Sequence, residues 1–491
     1  MITLTQHKIT NILLSFIFLG LSYASPARAQ IKAKSAPFEY IPEQSEDQYN
    51  QRIPQKAHPI GSNNFIILSK KSANDYAVEL YSSDLKKIWQ TSVPLSPGED
   101  IEAFAVNSSS AIILTNRKPS GAGSQAVYGT LINLQTGKKA ESKKLFEAPA
   151  QNRRIGTAIS PNGTKLVAYK YSYQQDELKA INASVYDENL NKVSDRSYNL
   201  QDLNNILSAN VQINDTGEQF VSLITHNATK LSVRRYINNN KEIKGMDVQV
   251  GGLFDGQQVY VLDSKFLLQP DGSVYAAIIC ADEKTGNYHS LKVARFDFTA
   301  GNMKFAPEFR FNPEYVAALN KVTKSGEAAT TRLEDIYLTD LLVNAEKNLV
   351  VIAEKKYNEG PKLPFLAKEM HLFAFDDFLN PTWHSVINKS QKAAASEGFS
   401  SISYKANLVE NSLQVVTLEA LNGKTDLYSR KINLRNGATD APKPMGLGIT
   451  STEGLPYVKD FTTWLNEKTL IAVVRPSKKS MGLQLIKITL K

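Results

Sequence analysis

The sequence holds one cysteine, Cys280, among 491 residues. A lone thiol excludes an internal disulfide framework, so stability must come from buried apolar area rather than from covalent staples. Cys280 continues the apolar run Ile278-Ile279-Cys280, which reads as a buried strand with the thiol acting as a small hydrophobe. Histidine is also sparse. Beyond the first thirty positions only His58, His226, His289, His371 and His384 occur, and none forms an HxH or HExxH pattern. That scatter points to no metal site. No G-x-S-x-G elbow is present, and Gly446-Leu-Gly448 with Gly454 does not fit a phosphate-cradling loop, so no catalytic residue can be assigned and no cofactor is expected. Asp187-Glu-Asn189-Leu-Asn191 resembles half of a calcium loop, but Lys192 stands where that loop needs glycine. After the N-terminal region no apolar run is long enough to span a bilayer, and no transmembrane segment is expected in the mature chain.

The first residues read as an export signal. Lys8 supplies the positive end, Ile9 to Tyr23 is largely apolar, and Ala27-Arg-Ala29 fits a cleavage site before Gln30. The expected division is a signal peptide at 1–29, an N-terminal segment at 30–56 and one domain at 57–491, in a periplasmic or secreted, monomeric protein.

What the sequence does have is a repeat. Tyr81-Ser-Ser-Asp-Leu85, Tyr186-Asp-Glu-Asn-Leu190 and Phe375-Asp-Asp-Phe-Leu379 share one register of aromatic, polar turn and leucine. A sister form ends in glycine: Ile132-Asn-Leu-Gln-Thr-Gly137, Phe296-Asp-Phe-Thr-Ala-Gly301 and Ile432-Asn-Leu-Arg-Asn-Gly437. Tyr236-Ile-Asn-Asn-Asn is a weaker seventh copy. Upstream of the hairpins lie short apolar runs such as Phe65-Ile-Ile-Leu68, Leu166-Val-Ala-Tyr169 and Leu349-Val-Val-Ile352, and a last run at Leu470-Ile-Ala-Val-Val474 brings their number to eight. Runs this short and β-branched suit strands covered on both faces. Turns such as Ser160-Pro-Asn-Gly163 and Gln269-Pro-Asp-Gly272 precede them.

A unit of strand a, tight turn, buried strand b, loop, strand c, polar hairpin and strand d is a propeller blade. The fold expected is therefore all-β: a single β-propeller of eight four-stranded blades, with seven as the alternative. The eighth blade lacks an outer strand at the C-terminus. An N-terminal segment such as Pro37-Phe-Glu-Tyr-Ile41 can supply it and close the ring, which removes exposed sheet edges. The stretch 312–335 is an insertion in which Pro313 to Lys321 reads as helix, with proline at an early helical position.

Ser160-Pro-Asn-Gly-Thr-Lys-Leu-Val-Ala-Tyr169 followed by Ser184-Val-Tyr-Asp187 resembles the WD40-like repeats of periplasmic TolB-type propellers. Ile132-Asn-Leu-Gln-Thr-Gly-Lys138 is similar to the repeat of quinoprotein-type eight-bladed propellers, which include outer-membrane assembly scaffolds. That second pattern implies a docking tryptophan a few residues after the glycine; here Trp89 and Trp383 follow the leucine form instead. The resemblance implies a fold and transfers no active site. The paired cysteines that quinoprotein dehydrogenases place beside their cofactor are missing.

The b–c loops carry the most suggestive charge. Blade eight offers Arg475, Lys478 and Lys479, blade one Lys70 and Lys71, and blade two Arg117 and Lys118. In a closed ring these blades adjoin, and a cationic arc would attract an anionic ligand; nucleic acid is not an expected partner of an exported protein. Tyr169, Tyr171 and Tyr173 alternate into a loop of blade three and read as packing. The leading expectation is a non-catalytic interaction scaffold that holds a protein partner in the cell envelope. The alternative is a recognition module for an anionic glycan or envelope polymer, followed by a hydrolase or lyase.

Overall fold

In the computed structural model, residues 33–43, 53–118, 121, 123–150, 153–237, 243–254, 256–323, 329–451, 454–477 and 482–490 are described. The export signal expected at 1–29 lies outside them. Eight antiparallel sheets form eight blades, so the eight-bladed reading holds over the seven-bladed one. Blade 1 is Ala57–Ile60, Asn64–Ser72, Asp75–Ser82 and Lys87–Pro94, paired in that order. The other blades repeat this meander, and blades 5 and 6 gain short extra strands. In such a meander the a–b and c–d turns share one face of the ring. The b–c turns and the blade-to-blade connections share the other, called here the connection face.

Blade 8 takes strands a to c from Tyr457–Asn466, Thr469–Val474 and Gln484–Thr489, and its outer strand from Ala33–Pro37. The N-terminus closes the ring as expected, but the strand lies a few residues earlier than Pro37–Ile41. The chain past Pro37 instead becomes a clasp. Phe38 is buried, Tyr40 meets Phe461 edge-on at 4.9 Å, and the Ile41 amide donates to the Lys70 carbonyl at 3.0 Å. Aromatic burial outcompetes further strand pairing here.

The leucine form is one loop residue shorter than the glycine form, but both end the loop on a left-handed residue. Leu85, Leu190 and Leu379 sit at φ 64°, 59° and 65°, where the sister form places Gly137, Gly301 and Gly437. A left-handed leucine costs roughly 1–2 kcal/mol, but each of these is buried, and burying a leucine returns roughly 1.5–3 kcal/mol. The turn's first polar residue caps it: Asp187 Oδ1 accepts from the Asn189 and Asn191 amides at 2.9 and 2.8 Å. The half-calcium-loop pattern at Asp187 is therefore a hairpin. The two forms also interlock. Trp89 of blade 1 donates from Nε1 to the Leu134 carbonyl of blade 2 at 3.0 Å, and its ring lies over Gly137, where a Cβ would sit 2.8 Å from Cδ2. Trp383 of blade 6 does the same on Leu434 and Gly437 of blade 7. The docking tryptophan thus comes from the preceding blade.

Between blades 5 and 6 the helix Pro313–Val322 starts at the N-cap Asn312, whose side chain accepts from the Tyr315 amide at 2.9 Å. Tyr315, Val316 and Leu319 bury into the core shared by those blades, so the helix is fixed on the connection face. Cys280 is buried, as expected, with Sγ 3.4 Å from the Val250 carbonyl. No described helix is long and apolar enough to cross a membrane.

A candidate anion site at the mouth of the central channel

The innermost strand of each blade lines the central channel. Where blades 5 to 8 and 1 face one another, a cavity of 670 Å³ opens. That is the size range of small-ligand sites. Four lysines line it from four blades: Lys265 on strand a of blade 5, Lys356 on strand b of blade 6, Lys405 on strand a of blade 7 and Lys459 on strand a of blade 8. Lys405 and Lys459 lie near the starts of Tyr404–Val409 and Tyr457–Asn466, which places them toward the connection face. The four form a chain of mutual repulsion, Lys405 with Lys459, Lys459 with Lys356, and Lys356 with Lys265.

Among the described residues none of these four lysines has a carboxylate within ion-pair distance, although acids stand nearby. Each nearby acid is engaged elsewhere. A bulge at Thr339 interrupts the register between Leu338 and Asp340, and the Tyr404 hydroxyl donates to Asp340 Oδ2 at 2.5 Å while also bonding the Thr339 hydroxyl. Bulges of this kind re-aim side chains beside functional sites. Glu354, fully buried, lies 2.7 Å from Lys389 Nζ and accepts from the Ser403 hydroxyl at 2.5 Å. Asp460 lies 3.6 Å from Lys56, and Asp263 accepts from the Leu338 and Ser264 amides, both at 2.8 Å.

The lysines are held instead by neutral groups. Lys405 Nζ donates to the Pro54 carbonyl at 2.9 Å and to Gln55 Oε1 at 2.8 Å. Lys459 donates to the Phe399 carbonyl at 3.0 Å. Lys356 lies over Phe399 and Tyr337, at 5.4 and 5.7 Å from the ring centroids. Burial disfavours the charged form, pushing Lys405 down to about 8 and Lys356 below the usual lysine range. His58, also on the cavity wall, is pushed down to about 4 by burial and is neutral at physiological pH. Its Nε2 is buried without a partner. The Tyr404 phenol stays protonated for the same reason, with Asp340 and Glu354 adding to the effect. A cavity lined by four lysines and one carboxylate, Asp340, carries an excess of positive charge that suits an anion.

The loop residues expected to form a cationic arc have different surroundings. Lys71 Nζ lies 3.1 Å from the buried Glu79 and 2.8 Å from the Glu39 carbonyl, so the clasp covers it. Arg117 reaches Glu99 at 3.0 Å and stacks 4.5 Å from the Tyr128 centroid. Lys70 lies 5.9 Å from the Tyr76 centroid, Lys118 is exposed, and Arg475 Nε donates to the Leu455 carbonyl at 3.4 Å. Lys478 and Lys479 fall outside the described residues. In blade 3, Tyr169, Tyr171 and Tyr173 pack edge to edge, and Arg153 covers the last two at 5.6 and 5.8 Å. No group of three or more potential metal ligands occurs among the described residues.

No protein-family profile matches this chain, and no curated protein matches it in sequence. Several solved structures are similar to it at low identity. The polysaccharide lyase Uly1 is 12% identical with a TM-score of 0.43, over 79% of this chain and 90% of that one. The β-propeller domain of the Trilobed protease from Pyrococcus furiosus is 11% identical with a TM-score of 0.37, over 77% and 95%. Porphyromonas gingivalis dipeptidyl peptidase 4 is 11% identical with a TM-score of 0.45, over 91% of this chain and 62% of that one. Likenesses at this level assign no activity.

Proposed function

We propose that this protein is a binding propeller that captures an anionic ligand of oligosaccharide size, such as a segment of an acidic glycan or envelope polymer, at its channel mouth. The observation that carries this reading is the convergence of Lys265, Lys356, Lys405 and Lys459 on one cavity whose lining holds a single carboxylate, Asp340, itself bonded to Tyr404. With the export signal expected at 1–29, the reading places capture in the periplasm or outside the cell. It ranks ligand capture above the protein scaffold favoured by sequence alone, because four half-buried lysines repelling one another across a cavity are relieved by an anion.

Calorimetric titration with trigalacturonate, against maltotriose as the uncharged counterpart, tests it. Each charge-assisted contact contributes about 1.5–3 kcal/mol, and each 1.4 kcal/mol is about tenfold in Kd. The double variant Lys405→Gln, Lys459→Gln should therefore weaken trigalacturonate binding by about 100-fold or more. Equal affinity for maltotriose, or an unchanged Kd in the double variant, would refute the proposal.

A further inference from the structure

We propose that Lys405 is a reactive amine that captures the carbonyl carbon of a carboxylate-bearing aldehyde or 2-oxo acid as an imine. The inference rests on the anion-site reading and adds a covalent step to it.

The geometry around Nζ accommodates the neutral amine as well as the ammonium that binds an anion. Its polar partners are two acceptors, the Pro54 carbonyl at 2.9 Å and Gln55 Oε1 at 2.8 Å. A neutral amine has two N–H bonds, which satisfy both acceptors and leave the lone pair in the remaining tetrahedral position. An ammonium has three N–H bonds, and the third is left for what fills the cavity. No carboxylate among the described residues pairs directly with Lys405: Asp340 on the wall is bonded to Tyr404, and Asp460 lies beside Lys56. Burial, helped by the like charge of Lys459, outweighs the pull of Asp460 and Asp340 and brings the amine down to about 8. A lysine desolvated beside another cation is the arrangement that makes an amine nucleophilic near neutral pH. The remaining lysines give the ligand's carboxylate a cationic seat, so its carbonyl is held beside the amine rather than left to diffuse.

The step balances without a further reagent. The nitrogen lone pair forms a C–N bond to the carbonyl carbon while the C=O π pair moves to oxygen. A proton passes from nitrogen to that oxygen to give a carbinolamine. Loss of its hydroxyl with one further proton, as water, leaves the imine. No atom is oxidised or reduced. The shared ligand chemistry is a free carbonyl together with a carboxylate. A 2-oxo acid offers it directly, and an acidic sugar offers it in the open-chain form of its reducing end.

Trapping with cyanoborohydride tests this on the intact protein, with glyoxylate as one probe, digalacturonate as the other, and peptide mapping by mass spectrometry. Lys405 should be alkylated by at least one probe roughly tenfold or more faster than the exposed lysines, since its neutral fraction at pH 7 far exceeds theirs. The Lys405→Arg variant should lose that adduct, and tricarballylate, an anion with no aldehyde or ketone, should protect the wild-type site. Preferential labelling by glyoxylate alone points to a 2-oxo acid, and labelling by digalacturonate to a sugar end. If Lys405 reacts no faster than exposed lysines while tricarballylate still raises the melting temperature saturably, the covalent step is wrong and the anion site stands. Adducts gathering on Lys356 instead would overturn the assignment to Lys405. No labelling preference together with no tricarballylate binding would remove both.

Discussion

The lysines of the channel mouth and the basic residues of the b–c loops differ in what answers their charge. Arg117 and Glu99 are direct cross-strand partners in blade 2, and Lys71 reaches Glu79 across the b–c hairpin of blade 1. Both pairs form within one blade, between residues fewer than twenty apart, so the local hairpin neutralises its own charge. The channel lysines come from strands separated by some fifty residues or more and meet only when the ring closes. A run of positive residues in sequence is therefore a poor guide to an anion site in this architecture. An isolated lysine on an inner strand is a better one.

That difference predicts stability changes of opposite sign. Lys405→Met removes a cation that burial disfavours and should stabilise the fold by about 1–3 kcal/mol. Lys71→Met leaves the fully buried Glu79 with Lys87 as its remaining cation, and should destabilise by about 1–3 kcal/mol. Chemical denaturation of the two variants at pH 7 measures both. The pH dependence sharpens the first. The folded Lys405 titrates near 8, below its unfolded range, so between about pH 8 and 10.5 the unfolded chain binds more protons and stability rises with pH. The advantage of Lys405→Met should hold below pH 8 and fade through that window. Two destabilised variants would mean that Lys405 has an anion-like partner in the folded protein, which breaks the contrast.

Affinity should respond to the same titration. An anion binds the ammonium form, so trigalacturonate affinity should fall as pH rises through about 8, by up to about tenfold per unit once Lys405 is mostly neutral. In Lys405→Arg the guanidinium stays charged, and the affinity should be flat between pH 7 and 9. A wild-type profile equally flat would show that Lys405 is outside the site.

Much of the fold was legible because blade turns are chemically marked. The leucine and glycine hairpins read as one repeat since both put a left-handed residue just before the returning strand, and the eight apolar runs became the eight b strands. The partner of each docking tryptophan was not legible, because Trp89 and Trp383 act across a blade boundary that no spacing rule encodes. The closing strand was placed in the right segment but displaced, since the aromatics at Phe38 and Tyr40 are as strand-like as their neighbours and only the packing on Phe461 decides. The channel site was missed outright. Its signal is faint: Ser264-Lys265-Phe266, Tyr404-Lys405-Ala406 and Val458-Lys459-Asp460 each put one lysine into an inner strand, and aligning strand a across the repeats would have found them. That Asp340 and Glu354 are engaged elsewhere depends on a bulge and a buried pair, which a single sequence does not reveal.

The smallest expected effect lies at the exposed end of the loops. Lys118 is solvent-exposed, and Arg117 already has Glu99 and the Tyr128 ring. An exposed charge acting across more than a Debye length, about 8 Å at physiological salt, is largely screened. The double variant Arg117→Gln, Lys118→Gln should therefore change the trigalacturonate Kd by less than about twofold at 150 mM salt. At 10 mM salt the Debye length grows to about 30 Å and a larger, long-range contribution should emerge. The channel variant Lys405→Gln, Lys459→Gln should lose affinity at both salt concentrations, because its contacts are direct and desolvated. If the loop variant instead loses affinity at 150 mM as strongly as the channel variant does, the ligand touches the loops, and the site extends from the channel mouth to the rim of blade 2.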